Sequence, residues 1–492
     1  MKLSELLENA KAQFDISRGN DEITEIIYDS RTESPDKSGL FICIKGFAFD
    51  SHDHAMKMYS RGVRHFVAEH TLDLPSDAVV AVCESTRRAL AVISAAFFGY
   101  PAKKLCTVAL TGTKGKTSTS FMIKNILEES GRKVGVIGTT GIYYGKKTID
   151  SENSTPESYL IHKYMHDMQN EGCDTVVMEA SSQGFKLDRT YGIMFDIGVF
   201  TNISPDHIGE NEHKDFDEYL GCKKMLFSQC KTGIFNADDP ETDRISSGCT
   251  CKKLTFGYKS DADFRAASPY FGSRDGKLVT EYDITLNGNT HRLVIPLLGE
   301  ISVYNSLCAA SVAAVLGCTY DQIEKGLCKT VVRGRNESVD VGKDFSVILD
   351  YAHNEVSIES IFRTLSHYRK GRIITVFGCG GNRSKLRRFA MGDIISRNSN
   401  LTIVTSDNPR FEKLDDIISD IMSGIKEPKG EVTIIKDRRQ AIYHALSLAK
   451  KDDIVLIVGK GNQDYEEIEG VKSMLSTTKQ HILFLSTSPR LP

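Results

Sequence analysis

Residues 112–118 read G-T-K-G-K-T-S, a combination of residue types that can bind phosphate. Gly112 and Gly115 let the backbone approach a phosphate group closely, because glycine has no Cβ. Lys116 can neutralise phosphate oxygens, and the hydroxyl of Thr117 can ligate Mg²⁺. The common nucleotide-binding loop reads G-x-x-x-x-G-K-[ST]. This loop is shorter, since leucine stands where that pattern has its first glycine.

The flanking sequence distinguishes a phosphate loop from a plain turn. Residues 105–110 read LCTVAL, an apolar run of strand length, and residues 117–131 place apolar side chains on one helical face. A glycine loop between a strand and a helix presents unpaired backbone N–H groups and the positive end of the helix dipole. The pattern therefore predicts nucleotide binding at this loop.

Candidate metal ligands follow two further apolar strands. Glu179 lies near the end of DTVVMEASS, and Asp206 and His207 come just after GVFTNIS. Ligands of open α/β sheets bind at the carboxyl ends of the strands, and Mg²⁺ on phosphates needs further oxygen ligands. A histidine taken alone is more often packed or at the surface, but this one follows a strand of the same sheet. We therefore expect Thr117, Glu179 and His207 at one sheet edge.

The bulk composition excludes several classes of protein. A chain of 492 residues is long enough for roughly two to four domains. The net charge of -3 and the lack of a Lys/Arg block argue against nucleic-acid binding. No apolar run is long enough to span a membrane, and the opening MKLSELLENAKAQF predicts a short amphipathic helix instead of a signal peptide. The 12 scattered cysteines include no C-x-x-C pair, so we expect free thiols in a reducing cytoplasm and no zinc site.

The order of elements predicts an α/β fold. Short strands and helices fill residues 1–102 and end at a linker near Pro101. Buried-type strands then alternate with helices, which indicates a parallel sheet covered on both faces. From about residue 330 the pattern restarts with FSVILDYAH, RIITVFGCGG, LTIVTSDNPR and DIVLIVGKGNQ. These runs predict a second α/β domain.

The motifs taken in order resemble those of the Mur ligases. They are TGTKGKTS, MEASS, TNISPDH, YLGCKKMLF, GEISVYNSLCA, RGRNE, LDYAHN, FGCGGNR, SDNPR and GKGNQDY. Each motif is weak by itself, but the series covers nearly the whole chain. Within the family the chain is most similar to the ligases that add the third residue of the peptidoglycan stem peptide. Their G-T-x-G-K-[ST] loop accounts for the short loop here, with Lys114 where asparagine is commoner.

The resemblance implies three domains. They are a UDP-binding domain over 1–102, a central P-loop-type parallel-sheet ATPase domain over 103–329, and a Rossmann-like α/β domain that binds the amino acid over 330–492. The residues implied to bind the UDP-muramoyl dipeptide are Ser30, Ser154, Thr155, Pro156, Ser181 and Arg189. A glutamine of the family in this region is Leu187 in this chain. The implied partners are small-molecule substrates only, and we expect a monomer.

The resemblance also implies the ATP and metal site. The residues implied to bind ATP are Gly112, Thr113, Lys114, Gly115, Lys116, Thr117, Ser118, Asn305, Arg335, Asp350 and His353. The catalytic set is Lys116, Glu179, His207 and Lys223, and the ligands of two Mg²⁺ ions are Thr117, Glu179, His207 and Lys223. Lys223 matches the carbamylated lysine of the family, an N6-carboxylysine whose oxygens ligate the second ion beside His207.

The implied reaction has two steps. The carboxylate of UDP-N-acetylmuramoyl-L-alanyl-D-glutamate attacks the γ-phosphate of ATP to give an acyl phosphate and ADP. An amine then displaces phosphate to form an amide. Because both partners of the first step are anions, Lys116 and two Mg²⁺ ions are expected to supply charge neutralisation.

The incoming amino acid is implied by the C-terminal motifs. DNPR resembles the signature of meso-diaminopimelate enzymes, so that amino acid is favoured and L-lysine comes next. The residues implied to bind it are Arg388, Asp407, Asn408, Arg410, Gly459 and Gln463. Three positions depart from the family: Gln463 replaces a glutamate that binds the distal ammonium, and Asn382 and Ser384 replace aspartates.

Two alternatives stay open at this point. A folylpolyglutamate- or cyanophycin-type ligase shares the loop but is not expected to carry YDSR, STPES and DNPR together. A non-catalytic ATP-binding homologue is compatible with the departures from the family pattern.

The C-terminal tail lacks the F-D-D that the family carries there. One choice of codons for SMLSTTKQHI encodes H-A-F-D-D-K-A-T-Y when read two bases later. We therefore hypothesise that the tail after about Lys472 arose by a frameshift, the alternative being a divergent tail.

Overall fold

The computed structural model describes residues 1–46, 49–206, 208–209, 212–274, 277–331, 334, 336–461, 463, 465–474 and 482. The chain divides into two compact units, one of residues 1–265 with 307–326 and the other of residues 266–306 with 327–492. The second unit therefore includes residues 266–306, which the sequence assigned to the central domain. The domain boundaries at 102 and 329 stay predictions.

The first unit begins with a small parallel sheet whose strand order is β1-β2-β3-β4. Its elements are α1 (Leu3–Glu8), β1 (Glu25–Ile27), β2 (Gly39–Ile42), α2 (Ala55–Ser60), β3 (His65–Ala68), β4 (Val79–Val82) and α3 (Thr86–Phe97). The helix predicted at the N-terminus is confirmed, but it already ends at Glu8. The Ser85 side chain caps α3 by accepting a hydrogen bond from the Arg88 N–H, and the helix buries its apolar face against the sheet.

A larger sheet follows in the same unit. Its strands are β5 (Cys106–Thr111), β6 (Val134–Gly138), β7 (Gly141–Tyr144), β8 (Lys147–Ile149), β9 (Thr175–Glu179), β10 (Phe195–Phe200), β11 (Cys230–Asn236) and β12 (Lys252–Gly257). The order is β12-β11-β10-β5-β9-β6-β7-β8. Pairing is parallel from β12 to β6, and β7 and β8 add an antiparallel edge. The helices of this part are α4 (Lys116–Glu129), α5 (Ser158–Asn170), α6 (Ser182–Lys186), α7 (Phe216–Lys224) and α8 (Thr242–Ser246).

The register of this sheet positions the predicted site. Leu110 of β5 lies opposite Glu179 of β9, and Thr111 lies opposite Phe200 of β10. All three strands therefore end together, directly before the phosphate-type loop. This arrangement confirms that the loop and Glu179 lie at the same sheet edge.

The chain passes between the units through the elements that follow. They are β13 (Phe264–Arg274), β14 (Lys277–Leu286), β15 (Asn289–Ile295), α9 (Glu300–Val315) and α10 (Tyr320–Cys328). Strands β14 and β15 pair antiparallel as a hairpin.

The second unit contains the α/β pattern predicted to restart near residue 330. Its elements are β16 (Glu337–Val339), β17 (Ser346–Asp350), α11 (Glu355–Ser366), β18 (Ile373–Phe377), α12 (Lys385–Asn398), β19 (Leu401–Val404), α13 (Leu414–Gly424), β20 (Glu431–Ile434), α14 (Arg438–Leu448), β21 (Ile454–Val458), β22 (Tyr465–Ile468) and β23 (Val471–Met474). The strand order is β16-β17-β21-β18-β19-β20, with only the β16–β17 pair antiparallel. Apolar side chains cover both faces of the sheet, as expected for buried parallel strands. Strands β22 and β23 form a separate hairpin.

All twelve cysteines lie in the described part of the chain and are free thiols, as the scattered spacing predicts. Within that same part, none of the helices combines the length and the apolar character needed to cross a bilayer.

Candidate active site

The phosphate-type loop closes around the amine of Lys116. Strand β5 ends at Thr111 and helix α4 begins at Lys116, so the loop has the predicted strand–loop–helix context. Lys116 Nζ donates to the carbonyl oxygens of Gly112 at 2.7 Å and Thr113 at 3.3 Å. Gly115 has a φ of 86°, a conformation that glycine adopts without strain. The loop therefore holds a cation at the N-terminus of a helix, which suits an anionic ligand.

The end of β10 fixes the loop, and sequence reasoning missed the two residues responsible. Asn202 Oδ1 accepts from the Lys114 N–H at 2.9 Å, and Asn202 Nδ2 donates to the Lys114 carbonyl oxygen at 2.9 Å. Thr201 Oγ1 donates to that same oxygen at 2.9 Å. A Cβ on Gly112 would lie 2.0 Å from Thr201 Oγ1, so only glycine fits there. The available signal was the pair of polar residues that directly follows the apolar run of β10.

Lys223 brings a second amine to the loop. It lies near the end of α7, is 2% exposed, and its Nζ donates to the Gly112 carbonyl oxygen at 2.9 Å. Lys116 donates to the same oxygen, so two amines converge on one acceptor. Burial, followed by the nearby Lys116 charge, lowers the pKa of Lys223 well below its usual range. Burial also lowers the pKa of Lys116.

Tyr219 supports this pair of amines and was not predicted as a site residue. Its ring centre lies 4.5 Å from Lys223 Nζ, and its hydroxyl lies 3.0 Å from Thr113 Oγ1. Burial raises the pKa of Tyr219 to about 12, so the phenol stays neutral and keeps its proton for hydrogen bonding. The spacing of one helical turn from Lys223 was the sequence signal.

Glu179 is a buried carboxylate at the end of β9. Thr117 Oγ1 donates to Glu179 Oε1 at 2.9 Å, and the Thr139 hydroxyl donates to Oε2 at 2.8 Å. A Cβ on Gly138 would lie 2.4 Å from Oε1, so glycine leaves room for the carboxylate. Thr117 and Glu179 together present oxygen ligands of the kind that Mg²⁺ prefers. His207, the fourth predicted metal ligand, lies outside the described residues.

The second unit contains a cavity of about 280 Å³. It is lined by Tyr351, His353, Gly378, Cys379, Gly380, Arg383, Ser384, Arg387, Arg388, Met391, Asp407, Asn408, Arg410, Gly459 and Gln463. Every residue predicted to bind the amino acid is in this set, although the motifs that carry them are far apart in the chain. Arg383 and Arg387 also line the cavity, and sequence reasoning did not assign them. Arginine predominates among the charged lining residues, which favours a ligand with carboxylates.

Comparison with known proteins agrees with this geometry. The Mur ligase middle domain matches residues 110–313, and the Mur ligase, glutamate ligase domain matches residues 334–461. The chain belongs to the Mur ligase family. It is 40% identical to UDP-N-acetylmuramoyl-L-alanyl-D-glutamate–2,6-diaminopimelate ligase 1 of Clostridium acetobutylicum, over 95% of each chain. It is 38% identical to the Bacillus licheniformis ligase with the same substrates in its name, over 96% of each chain. A solved structure of a ligase so named is 25% identical, with a TM-score of 0.76 over 99% of each chain.

The residues that this Mur ligase was predicted to use for the UDP-muramoyl dipeptide form a connected group beside Glu179. Thr155 Oγ1 donates to the Glu179 carbonyl oxygen at 3.0 Å and accepts from the Ser181 N–H at 2.8 Å. Arg189 donates to the Thr155 carbonyl oxygen at 2.8 Å and pairs with Glu157 at 2.7 Å. Ser154 Oγ lies 2.7 Å from the hydroxyl of Thr139, which itself donates to Glu179.

The remaining residues of that prediction have simpler surroundings. Pro156 directly follows Thr155 in the sequence. Ser30 is buried in the small N-terminal sheet region, and its carbonyl oxygen accepts from Arg61 at 3.2 Å. Their contacts with a ligand stay predictions.

Four of the residues predicted to bind ATP belong to the second unit, and the structure describes three of them. Asp350 ends β17, and its carboxylate accepts from the N–H groups of Asn336 at 2.6 Å and Ala352 at 2.7 Å. His353 is exposed, and Asn305 is buried on α9. Arg335 lies outside the described residues. These assignments stay predictions.

Arg388 of the amino-acid cavity is already paired within the protein. The guanidinium makes a two-point contact with Glu412 at 2.7 and 2.9 Å and also pairs with Asp420 at 2.8 Å. Glu412, ahead of Asp420, raises the pKa of Arg388, and the same contact lowers the pKa of Glu412. Arg388 is 1% exposed, so this geometry makes it a support of the cavity wall. Its predicted contact with the amino acid stays a prediction.

Asn382, one of the departures from the family pattern, joins the two loops of that wall. Asn382 Oδ1 accepts from the Phe411 N–H at 3.1 Å, and the Asn382 N–H donates to Glu412. The Gly381 N–H donates to the Asn408 carbonyl oxygen at 2.9 Å, and Arg410 donates to the Gly381 carbonyl oxygen at 2.7 Å. A neutral amide at position 382 is therefore compatible with a well-ordered wall.

Proposed function

We propose that this chain is an ATP-dependent ligase that joins 2,6-diaminopimelate to UDP-N-acetylmuramoyl-L-alanyl-D-glutamate. The observation that carries the proposal is the convergence of two lysine amines on the carbonyl oxygen of Gly112 in a glycine loop. Lys116 supplies positive charge where two anionic substrates have to meet, and Lys223 supplies a second amine directly beside it. The substrates are those in the names of the relatives that match over 95% or more of both chains.

Lys116 supports the first step by charge neutralisation. The substrate carboxylate attacks the γ-phosphorus of ATP, the bond to the bridging oxygen breaks, and ADP leaves. The product is an acyl phosphate. Lys116 is held by two loop carbonyl oxygens, so its cation is already oriented at the helix terminus before the substrates bind.

The second step forms the amide. The unprotonated amine of the amino acid attacks the acyl carbon, phosphate leaves, and the nitrogen loses a proton. The basic lining of the 280 Å³ cavity supports binding of an amino acid through its carboxylates. We propose meso-diaminopimelate as the preferred amino acid, with L-lysine next.

Thr117 and Glu179 fit the requirements of a magnesium site. Their hydroxyl and carboxylate oxygens lie 2.9 Å apart at the sheet edge, and both are hard ligands of the type that Mg²⁺ takes. When bound, the metal neutralises phosphate charge. We propose two such ions, with His207 and the modified Lys223 completing the ligand set.

Lys223 fits the chemistry of carbamylation. Burial and the nearby Lys116 charge lower the pKa of Lys223, which favours the unprotonated amine whose nitrogen lone pair can attack CO₂. The new N–C bond gives a carbamate, and the nitrogen releases one proton. The product is an anion with two oxygens at a position where the lysine would otherwise add a second cation. ¹³C-bicarbonate NMR should show one carbamate signal per chain that disappears in Lys223→Met.

The UDP end of the substrate is assigned to residues 1–102, with Ser30 as the proposed uracil contact. The connected group around Thr155, Ser181 and Arg189 is proposed to hold the muramoyl dipeptide near Glu179. We propose that the enzyme acts as a monomer in the cytoplasm, where its nucleotide substrates are available.

ADP release tests the proposed function. The full chain, ATP, Mg²⁺ and UDP-N-acetylmuramoyl-L-alanyl-D-glutamate are incubated with a panel of amines. ADP release that depends on both the nucleotide substrate and one diamino acid supports the proposal. No release with any amine would favour a non-catalytic homologue, and release with a folate substrate would favour the folylpolyglutamate type.

A further inference from the structure

A chain of hydrogen bonds with a fixed direction runs from Lys460 into the amino-acid cavity. Lys460 Nζ donates to Asn408 Oδ1 at 2.7 Å, and the Glu467 N–H donates to the same oxygen at 3.0 Å. An ammonium group and a backbone N–H can only donate. The oxygen of Asn408 must therefore face them, and its amide nitrogen must face the other way.

This direction determines how Gln463 is oriented. Asn408 Nδ2 donates to Gln463 Oε1 at 3.3 Å, which uses the acceptor end of the Gln463 amide. The donor end, Nε2, lies 3.3 Å from the hydroxyl of Tyr351. A glutamate at this position would carry a charge and accept at both oxygens, whereas Gln463 has no charge and its one acceptor oxygen already takes a hydrogen bond from Asn408.

The charged side chains around Gln463 also favour a carboxylate over an ammonium group. Arg383 and Arg387 line the cavity with it, as does Arg410, which pairs with Glu467 at 3.2 Å. The carboxylate of Asp407 also lines the cavity, but it lies 3.9 Å from Lys460 Nζ and faces that cation. The lining therefore attracts a carboxylate and gives little attraction to an ammonium group.

We propose that Gln463 is a specificity-determining residue that makes this site recognise a distal carboxylate without recognising a distal ammonium. The proposal rests on the ligase function proposed above and narrows its substrate class to amino acids with a distal carboxylate, which excludes L-lysine, the second choice there. The site accepts α-amino dicarboxylic acids of the chain length of diaminopimelate, whether or not the far end also has an amine. Lys460 acts as the positioning residue, because its ammonium fixes the Asn408 amide that engages Gln463.

The test compares meso-diaminopimelate with 2-aminopimelate, which differs only in having hydrogen in place of the distal amine. For the full chain with ATP and the UDP-muramoyl dipeptide, we expect kcat/KM values for the two amino acids within about threefold of each other. Gln463→Glu restores an anion for the distal ammonium, so the ratio should rise about 10- to 150-fold in favour of meso-diaminopimelate. Gln440→Glu adds the same charge at an exposed position on α14 and should leave the ratio unchanged.

The outcomes separate the inference from the function on which it rests. A wild-type preference for meso-diaminopimelate of more than about tenfold would overturn the inference while leaving the ligase intact. Absence of ADP release with both amino acids would instead contradict the proposed function. If Gln463→Glu fails to fold, the wild-type ratio alone still decides the matter.

Discussion

Replacing Lys460 by methionine should weaken amino-acid binding in a way that depends on pH. The side chain is 1% exposed, and Nζ donates to Asn408 Oδ1 at 2.7 Å and to the Tyr465 carbonyl oxygen at 2.8 Å. Burial lowers the pKa of Lys460 to about 8, against the opposing charge of Asp407. Arg438 and Arg410 lower it further, and Glu466 raises it. The ammonium therefore exists below about pH 8 and is lost above it.

The expected loss of kcat/KM in Lys460→Met is that of one hydrogen bond to a charged group. At about 2 kcal/mol, this bond corresponds to roughly 30-fold in kcat/KM for the amino acid when Lys460 is protonated. With a pKa of about 8, some nine-tenths of the lysine is charged at pH 7 and one-tenth at pH 9. The ratio of kcat/KM for the amino acid between wild type and Lys460→Met should thus fall from about 30 at pH 7 to about 4 at pH 9.

Steady-state kinetics between about pH 6.5 and 9.5 measures this ratio, with ATP and the nucleotide substrate saturating. Both enzymes see the same ionisation of the amino acid, so that effect cancels. Lys460→Met should raise KM for the amino acid and leave KM for ATP unaltered. Lys451→Met, an exposed position nearby in the sequence, should give a ratio near 1 throughout. A ratio that does not vary with pH, or a change confined to ATP, would refute the positioning role.

The other predictions concern the first unit. Gly112→Ala should lower ATP affinity by at least about tenfold in calorimetry, because a side chain at a φ of 151° and its contact with Thr201 would both strain the loop. Gly221→Ala, where the added Cβ meets open space, should leave ATP affinity unchanged. Thr117→Val should raise the Mg²⁺ concentration needed for half-maximal ADP release by about 10- to 150-fold, and Thr117→Ser should not. His162 is buried, neither ring nitrogen has a hydrogen-bond partner among the residues that the structure describes, and burial lowers its pKa to about 4. As the pH falls below about 6.5, His162 takes up a proton in the unfolded state before it does so in the folded state. The free energy of unfolding should therefore fall by about 3 kcal/mol between pH 6.5 and pH 4. In denaturant titrations, His162→Leu should abolish that part of the loss.

The sequence predicted the parts of the site that depend on local pattern and strand order. The helix after the glycine loop begins at Lys116, and Glu179 ends a strand next to β5. The strands of the second α/β sheet begin where the apolar runs restart. Residues from the DNPR and GKGNQ motifs meet in one cavity, because parallel strands end at the same sheet edge.

The remaining features depend on pairings that no pattern specifies. Arg388 and Arg410 both belong to motifs expected to bind carboxylates, yet Arg388 is held by Glu412 and Asp420 while Arg410 contacts Glu467. Whether a charged side chain faces a ligand or a protein carboxylate is decided by packing across several elements. The role of Asn202 was missed for the same reason, since its partner lies 88 positions away in the chain.

Neighbouring charges separate the roles of the two lysines at Gly112. Both donate to one carbonyl oxygen, so two full positive charges there would repel each other at short range. Burial lowers the pKa of both amines, but the charges of Glu179 and Asp206 oppose that effect at Lys116. At Lys223 the charge of Lys116 adds to the effect of burial, and it outweighs the opposing charge of Asp206. These charges favour Lys116 as the cation for phosphate and Lys223 as the amine that gives up its proton more readily. The two side chains are of the same type, so the charges that face them set their different roles.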